Sequence, residues 1–313
     1  MSAKIGDYRV IRELGRGSMG VVYEGFHDDL RQRVAIKVLY LDRAGDSDGV
    51  ARFFDQARAV NIIRHPGIVA IHGLGQLPNG APYIIMEYSS GQPLSGRLLW
   101  CGGRLGPVVL TFARQIASAM VAAHSKGIIH RDLKPDNVIV INDSEMPSGE
   151  RIKVLDFGIA WYAAELRMSV APAGTIAGTP AYMPPEQWCG EPVTDKCDVY
   201  ALGVILYELL AGHLPFQALD LCDLMRLHLE TDPAPLREID EFIPNQLAKL
   251  VHAMLSKQAV ERPSMTEVAN TLNAVKRPYS TKPLLGGPPS PAQQGILDRC
   301  AKTKKRSVDR DFH

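Results

Sequence analysis

The hydrophobic pattern of this chain changes its period once, near residue 90, and this change limits the folds that the chain can adopt. Residues 8–88 consist mostly of short β-branched and aromatic runs separated by Gly, Asp and Pro, which is typical of an antiparallel sheet. One segment, residues 50–64, has apolar residues at helical spacing instead. After Gly91 the spacing is helical, and residues 199–210 are apolar on nearly every side. The sequence therefore predicts a β-rich region with one helix, followed by a larger helical region built around a buried helix.

Composition and charge exclude several classes of protein. The 313 residues are 46% hydrophobic and 22% charged, enough for a sizeable folded core. The 35 Lys and Arg nearly balance the 34 Asp and Glu, so no overall field favours nucleic acid or an anionic membrane. No apolar run has the length of a signal peptide or a membrane span. We therefore expect a cytoplasmic protein with no nucleic-acid partner and no membrane segment.

The five cysteines predict neither a disulfide framework nor a zinc site. Their number is odd, they are widely spaced, and they form no C-x-x-C pair. Buried or incidental thiols are the preferred interpretation.

A glycine-rich motif lies between the first two predicted strands. It reads Gly15-Arg16-Gly17-Ser18-Met19-Gly20 and is followed by Val22. Dinucleotide-binding folds place a helix after such a motif, whereas here a strand follows. Glycines would let backbone N–H groups approach phosphate oxygens without a side chain in the way. On its own, however, the motif is explained equally well by an ordinary hairpin turn.

The run Val34-Ala35-Ile36-Lys37 places one lysine in a strand that is otherwise apolar. Burying an ammonium group costs free energy unless an anion lies nearby. The phosphates of a nucleotide under the glycine hairpin would supply that anion. A solvated lysine at a sheet edge is the alternative.

The most specific motif is His130-Arg131-Asp132-Leu133-Lys134-Pro135-Asp136-Asn137, which is followed by an apolar run and then by Asp156-Phe157-Gly158. With the glycine motif and Lys37, these segments match H-R-D-L-x-x-x-N, D-F-G and V-A-I-K in order. The chain thus resembles the eukaryotic-type (Hanks-type) serine/threonine protein kinase family over roughly residues 8–275. The run GTPAYMPPEQ and the insertion before D-F-G resemble bacterial members.

This resemblance implies an α+β fold, the bilobal protein-kinase fold, within residues 8–277. A small β-rich N-lobe with one helix would span residues 8–88, and a larger, mainly α-helical C-lobe residues 89–277. Residues 278–313 are rich in Pro and Gly and then basic, so we expect a mobile tail. Its basic residues are preferably interpreted as solvated charge, with binding to an acidic partner as the alternative.

The resemblance also implies a site for ATP and Mg²⁺, with Mn²⁺ as a substitute for Mg²⁺. Asp132 would meet the attacking hydroxyl, Lys134 the γ-phosphate, and Asn137 and Asp156 the metal ions, because phosphoryl transfer depends on positioning and on neutralising spread negative charge. Met86 would be the gatekeeper, with the hinge directly after it. The residues assigned to ATP are Gly15, Gly17, Gly20, Val22, Ala35, Lys37, Glu87 and Tyr88.

The implied function is transfer of the ATP γ-phosphoryl group to Ser/Thr hydroxyls of proteins, including the kinase itself. Lys134 resembles the serine/threonine class, since tyrosine kinases usually differ in this loop. Residues 178–186 resemble the peptide-binding end of an activation segment, which argues against the alternative of a small-molecule phosphotransferase. In this family Glu186 would pair with Arg262, and Asp198 would anchor the catalytic loop.

An arginine in the position of Arg131 meets an activation-segment phosphate in the resembling family. Ser169, Thr175 and Thr179 are the candidates before Pro180. We expect Thr175 to carry the phosphate, with Ser169 second, and Thr179 to serve the substrate site.

One position departs from the family pattern. The helix facing Lys37 should supply a Glu nine positions before His65, and that position is Gln56. An amide can accept a hydrogen bond from the lysine, but this contact is weaker than a charged pair by about half. The neighbouring Asp55 is turned away by the helical step. A pseudokinase-like scaffold with little or no turnover is therefore the alternative, although the other motif residues, including Asp132, are present.

Overall fold

The computed structural model describes residues 3–17, 20–40, 47–100, 108–157 and 180–275, with the side chains at 47–49, 52, 56 and 100 excepted. Within these ranges, strands dominate up to residue 93 and helices dominate after it. The predicted change of period is therefore confirmed. Across the same ranges, no helix is both long enough and apolar enough to cross a bilayer.

The first part of the chain forms a six-stranded antiparallel sheet in the order β1-β2-β3-β4-β6-β5. Helix α1 (Ser47–Val60) packs on it through Phe53 and Ala57, which are fully buried. The helix stops before residue 64 because its last turn tightens, with Ile63 N–H donating to the carbonyl of Val60. The strands are β1 (Lys4–Ile5), β2 (Tyr8–Gly17), β3 (Gly20–His27), β4 (Gln32–Leu39), β5 (Ile71–Gln76) and β6 (Pro82–Glu87).

The second part is mainly helical and is built around one buried helix, α5 (Lys196–Ala211), in which Lys196 and Glu208 alone are not buried. This confirms the central helix predicted from residues 199–210. Gly203 allows close packing there, because a Cβ would lie 2.9 Å from Met254 Cβ. The other helices in the described ranges are α2 (Leu94–Trp100), α3 (Val108–His124), α4 (Pro185–Trp188), α6 (Leu221–Glu230), α7 (Leu236–Ile239), α8 (Asn245–Met254) and α9 (Met265–Ala274).

A second, three-stranded sheet lies within the helical part and was not predicted. It consists of β7 (Gly91–Pro93), β8 (Val138–Asn142) and β9 (Glu150–Val154), in that order. The side chain of Gln115 in α3 extends the hydrogen bonding of β9, since its amide donates to Glu150 O and accepts from Ile152 N. The hairpin β8–β9 joins two segments that carry sequence motifs, residues 130–137 immediately before β8 and residues 155–157 immediately after β9.

The last described helix, α9, is held at both ends. It starts with a capping box between Ser264 and Glu267. At its end, the Arg114 guanidinium donates to the carbonyls of Leu272 and Val275 at 3.0 and 2.8 Å. These bonds satisfy carbonyls that a helix end would otherwise leave unpaired. The predicted tail, residues 278–313, lies outside the described residues.

Candidate active site

The loop from His130 to Asn137 brings three predicted catalytic residues together. Lys134 Nζ lies 3.0 and 2.8 Å from the two carboxylate oxygens of Asp132. Asn137 Nδ2 donates to the Asp132 carbonyl at 2.7 Å and to its Oδ2 at 3.1 Å. A single turn of 3₁₀ helix at Pro135–Asn137 makes these contacts possible, because it folds the chain back before β8 begins. Because the side-chain nitrogen of Asn137 donates to Asp132, the side-chain oxygen of Asn137 is the atom that can bind a cation.

Asp198 at the start of α5 anchors this loop, as expected from the family resemblance. Its carboxylate is buried and accepts hydrogen bonds from the backbone N–H groups of His130 and Arg131 at 2.8 and 2.9 Å. A third bond joins it to His124 Nε2 at 2.7 Å. Burial acts to raise the pKa of Asp198, but these hydrogen bonds outweigh burial and hold the pKa below its usual value. The anchor is therefore charged at neutral pH.

His130 ties the catalytic loop to the segment after β9. Its Nδ1 accepts from the Asp132 N–H at 3.3 Å, and its Nε2 lies 2.8 Å from the Leu155 carbonyl. Because a carbonyl can only accept, the proton of the ring is on Nε2. The same ring packs on Phe157 with centroids 4.7 Å apart. The positions of Asp132 and Asp156 are thus linked through one buried imidazole.

Lys37 in β4 is nearly buried, 7% exposed, and its partner is Asp156. Nζ lies 2.7 Å from the carboxylate Oδ2. The prediction that this lysine requires an anionic partner is confirmed, although in the described structure the anion is a carboxylate. Asp55 is not that partner, because it is exposed and bonds Arg58 at 2.8 Å. Gln56 lies in α1, and its side chain is outside the described part.

The predicted walls of the adenine pocket lie in one apolar cluster of the N-lobe. Ala35 and Met86 are direct partners in the β4–β6 pairing, and Val22 pairs with Lys37 across β3 and β4. Val22, Ala35 and Met86 belong to the cluster that also contains Leu155. A cavity of about 20 Å³ lies between Met86, the predicted gatekeeper, helix α1 and the Lys37–Asp156 pair. A cavity of this volume has room for about one water molecule.

The three glycines of the hairpin serve two purposes. A Cβ at Gly15 or Gly17 would meet no atom within 4 Å, so these two leave open space beside the strand ends. At Gly20 a Cβ would lie 2.1 Å from the Val38 carbonyl oxygen. The requirement for glycine at position 20 therefore comes from packing within the sheet, whereas phosphate approach remains the interpretation for the other two.

Glu87 and Tyr88, the predicted hinge residues, are held by contacts that were not predicted. The Glu87 N–H donates to the Ala70 carbonyl at 2.9 Å, so an adenine contact from Glu87 would use its carbonyl. Its carboxylate pairs with Lys153 of β9 at 2.7 Å, and Tyr88 Oη accepts from Arg12 at 3.4 Å. Lys153, between the buried Ile152 and Val154, carries a weaker form of the signal seen at Lys37, because its strand also contains Glu150 and Arg151.

Glu186 and Arg262 form the expected pair. Two nearly parallel bonds of 2.7 and 2.8 Å join the guanidinium to the carboxylate, and both residues are buried. The Arg262 guanidinium also lies 4.8 Å from the ring centroid of Tyr200. This pair holds helix α4 against the C-lobe core. The predicted phosphorylation sites Ser169, Thr175 and Thr179 lie outside the described residues, as does Gly158.

Comparison with known proteins places these residues in a family. Residues 8–272 match the family model described as protein kinase domain. The chain is 40% identical over 263 residues to serine/threonine-protein kinase Pkn1 of Myxococcus xanthus, covering 84% of this chain and 37% of that protein. It is 32% identical over 311 residues to PknA of Mycobacterium tuberculosis, covering 95% of this chain and 69% of that protein.

A solved structure agrees with the fold. The crystal structure of the Mycobacterium tuberculosis PknI kinase domain superposes with a TM-score of 0.67 at 26% identity, covering 87% of this chain and 97% of that one. The chain spans 37%, 35% and 48% of the length of three curated relatives from Myxococcus xanthus. With the catalytic loop, the Lys37–Asp156 pair and these matches together, the chain belongs to the protein kinase family, among its bacterial serine/threonine members.

Proposed function

We propose that this domain transfers the γ-phosphoryl group of ATP to Ser/Thr hydroxyls of proteins, including its own. The observation that carries the proposal is the contact of Asp132 with Lys134 and Asn137, on a loop that His130 links to the segment carrying Asp156. Protein kinases use ATP and a divalent cation and act on protein substrates. The chemistry of these side chains suits that reaction class. Asp132 can accept the proton of a substrate hydroxyl, and Lys37 and Lys134 supply two positive charges. Asn137 and Asp156 offer two oxygen ligands for a metal ion.

The residues present fit Mg²⁺. Magnesium prefers oxygen ligands and is usually held by one or two carboxylates together with substrate phosphates. Asn137 and Asp156 offer an amide oxygen and a carboxylate. No cluster of three or more His, Cys, Asp or Glu suited to a metal occurs within the described ranges, which agrees with a site that the nucleotide completes. Mn²⁺ has the same ligand preference and is the expected substitute.

Each residue has a role that its geometry supports. Lys37 would bind the α/β-phosphates, and Asp132 would orient the substrate hydroxyl and accept its proton. Lys134, already within hydrogen-bond distance of Asp132, would neutralise negative charge on the transferred group. Mg²⁺ supplies further positive charge to the phosphate oxygens when it is bound. Val22, Ala35, the carbonyl of Glu87 and the hinge at Tyr88 would hold the adenine.

The two alternatives are less well supported. The one departure that suggests a scaffold without turnover is Gln56. The four residues assigned to the reaction are all present, in two pairs: Lys37 contacts Asp156, and Asn137 contacts Asp132. The relatives named above are described as serine/threonine-protein kinases, which gives the scaffold no support. A small-molecule phosphotransferase is disfavoured by the match to the protein kinase domain model.

We further infer that the domain works in the cytoplasm, where ATP is available, without a nucleic-acid partner. The near balance of 35 basic and 34 acidic residues supports the second point. An acidic partner for the basic tail remains the alternative to solvated charge.

Mass spectrometry after incubation with Mg-ATP tests the proposal. The wild-type protein should gain phosphate on Ser or Thr and should phosphorylate casein, whereas Asp132→Asn should do neither at a comparable rate. Phosphate is expected on Thr175 first and on Ser169 second. An active enzyme with no phosphate anywhere in residues 169–179 would refute this regulation, and a wild-type protein without transfer would refute the kinase activity.

A further inference from the structure

The backbone at Arg131, directly before the catalytic-site residue Asp132, has an unusual conformation. Arg131 has φ +65°, in the left-handed region that non-glycine residues rarely adopt. Such a conformation costs free energy and persists only where surrounding contacts impose it. Because the 131–132 peptide directly precedes Asp132, its orientation decides where the carboxylate of Asp132 lies. The contacts that impose it are therefore part of how the site is built.

Four backbone groups lie around this residue: the N–H groups of residues 130, 131 and 132 and the carbonyl of residue 131. The three N–H groups bond within the catalytic loop or to its anchor, Asp198. The Arg131 N–H donates to Asp198 Oδ1 at 2.9 Å, and the His130 N–H to Asp198 Oδ2 at 2.8 Å. The Asp132 N–H donates to His130 Nδ1 at 3.3 Å. The remaining group is the carbonyl of Arg131, which belongs to the same peptide unit as the Asp132 N–H.

That carbonyl is held from outside the catalytic loop. Gln187 Nε2 donates to it at 3.0 Å across 56 positions of sequence. Gln187 lies in α4 directly after Glu186, whose carboxylate is fixed by two bonds from Arg262. The side chain of Gln187 is half-buried. The N–H of the 131–132 peptide thus donates to the His130 ring, and its C=O accepts from the side-chain amide of Gln187, which is fixed to the C-lobe core.

We propose that Gln187 is a positioning residue for phosphoryl transfer, which holds the 131–132 peptide in the orientation that aims Asp132. The inference rests on the proposed kinase activity. It requires a donor at position 187, because the group that it meets is a carbonyl and can only accept. Losing this donor should lower kcat with little change in the KM for ATP, since the residues assigned to the nucleotide are not touched.

The sharpest test replaces the amide by the carboxyl of the same shape. Gln187→Glu at neutral pH removes the donor and places a negative charge against a carbonyl, so kcat with Mg-ATP and casein should fall about tenfold. A carboxyl next to a carbonyl and close to Glu186 resists ionisation, and its protonated form can donate. The rate relative to wild type should therefore recover as the pH is lowered from about 8 to about 5.5.

Gln187→Leu provides the comparison, because it lacks a donor at every pH and should show no such recovery. Gln258→Glu is the matched control for the added charge, since Gln258 is exposed and its side chain makes no cap bond. A variant that merely misfolds would not regain activity at lower pH. The melting temperatures and the KM for ATP of both position-187 variants should stay close to wild type.

The outcomes separate this inference from the kinase proposal. An active wild type with kcat unchanged in Gln187→Glu and Gln187→Leu would refute the positioning role alone. Equal loss in both variants even at about pH 5.5, where the protonated side chain of Gln187→Glu can donate and that of Gln187→Leu cannot, would also refute it, because the rate would then not depend on a donor. A wild type without any transfer would overturn the kinase activity and this inference with it.

Discussion

Lys37 of β4 and Asp156, just after β9, form an ion pair of 2.7 Å between the β-rich and helical parts of the domain. The side chains are only 9% and 19% exposed, so each charge depends on the other for compensation. In the proposed reaction Asp156 must bind a metal ion and Lys37 must bind phosphates. We therefore expect Mg-ATP to compete with this ion pair for both side chains.

Gln56→Glu should increase kcat/KM for ATP. A carboxylate on α1 would offer Lys37 another partner and release Asp156 for the metal. The gain should be at most about tenfold, because a partly solvated pair contributes roughly 1 kcal/mol. Gln56→Ala should lower the same constant. Steady-state kinetics of the three proteins decides the matter, and equal rates for Gln, Glu and Ala would mean that position 56 does not reach Lys37.

Lys37→Met, Asp132→Asn and Asp156→Asn should each abolish most transfer while leaving the fold intact. Each removes one charge from the phosphoryl site, and one such contact is worth about 2.7–4 kcal/mol, a loss of at least about a hundredfold in kcat. Asp28→Asn, which removes a charge from an exposed pair with Arg9, should leave the rate unchanged. Near-normal turnover by Asp132→Asn with Mg-ATP bound would contradict the assigned chemistry.

Arg262→Ala should destabilise the domain strongly. It would leave the buried carboxylate of Glu186 without its two bonds, at a cost of about 3–5 kcal/mol. For a domain of this size the melting temperature should drop by about 10 °C. Arg226→Ala breaks a single-bond pair with Asp223 in which both side chains are exposed, and should change the melting temperature by about 1 °C. Similar shifts in both variants would show that burial of the pair does not matter.

His228 should make the domain sensitive to acid. Its ring is fully buried, with Nδ1 2.8 Å from Tyr200 Oη. Burial, and secondarily the charge of Lys257, lower its pKa to about 3. Between about pH 6.5 and that value the unfolded chain binds a proton that the folded protein does not. The free energy of unfolding should therefore fall with falling pH, by at most about 1.4 kcal/mol per pH unit from this residue.

Denaturant titrations from about pH 7 to about pH 5 measure this slope. His228→Gln should make it shallower by about one proton, even if the variant is less stable at pH 7. The control His213→Gln changes an exposed histidine and should keep the wild-type slope. An unchanged slope in His228→Gln would show that His228 titrates as it does in the unfolded chain.

A chain cut after Arg277 should keep its melting temperature and basal activity. The Pro/Gly-rich and basic composition of residues 278–313 offers little apolar surface to bury. A cut after Thr271 should instead lower the melting temperature, because it removes the carbonyls of Leu272 and Val275 that Arg114 binds. Loss of folding in the longer form would mean that the tail docks on the domain.

The sequence by itself determined the order of the β-rich and helical parts and the central helix, and it supplied the candidate catalytic residues. These are local properties, since the period of apolar residues selects strand or helix and the spacing from Asp132 to Asn137 lies within one loop. The buried lysine in the V-A-I-K strand required an anion for the same local reason. The replacement of the family's Glu by Gln56 could also be found from the sequence, by counting nine positions back from His65.

Only the tertiary structure decided which partners meet. Lys37 pairs with a carboxylate 119 positions away, Glu87 pairs with Lys153 across 66 positions, and Gln187 reaches a carbonyl of the catalytic loop. Such contacts depend on strand register and on how the core orients each element, which neighbouring residues do not specify. The role of Gly20 is similar, because the need for glycine there comes from the carbonyl of Val38 on the adjoining strand. Motif spacing therefore predicted the reacting groups, and packing between distant segments decided what holds those side chains in place.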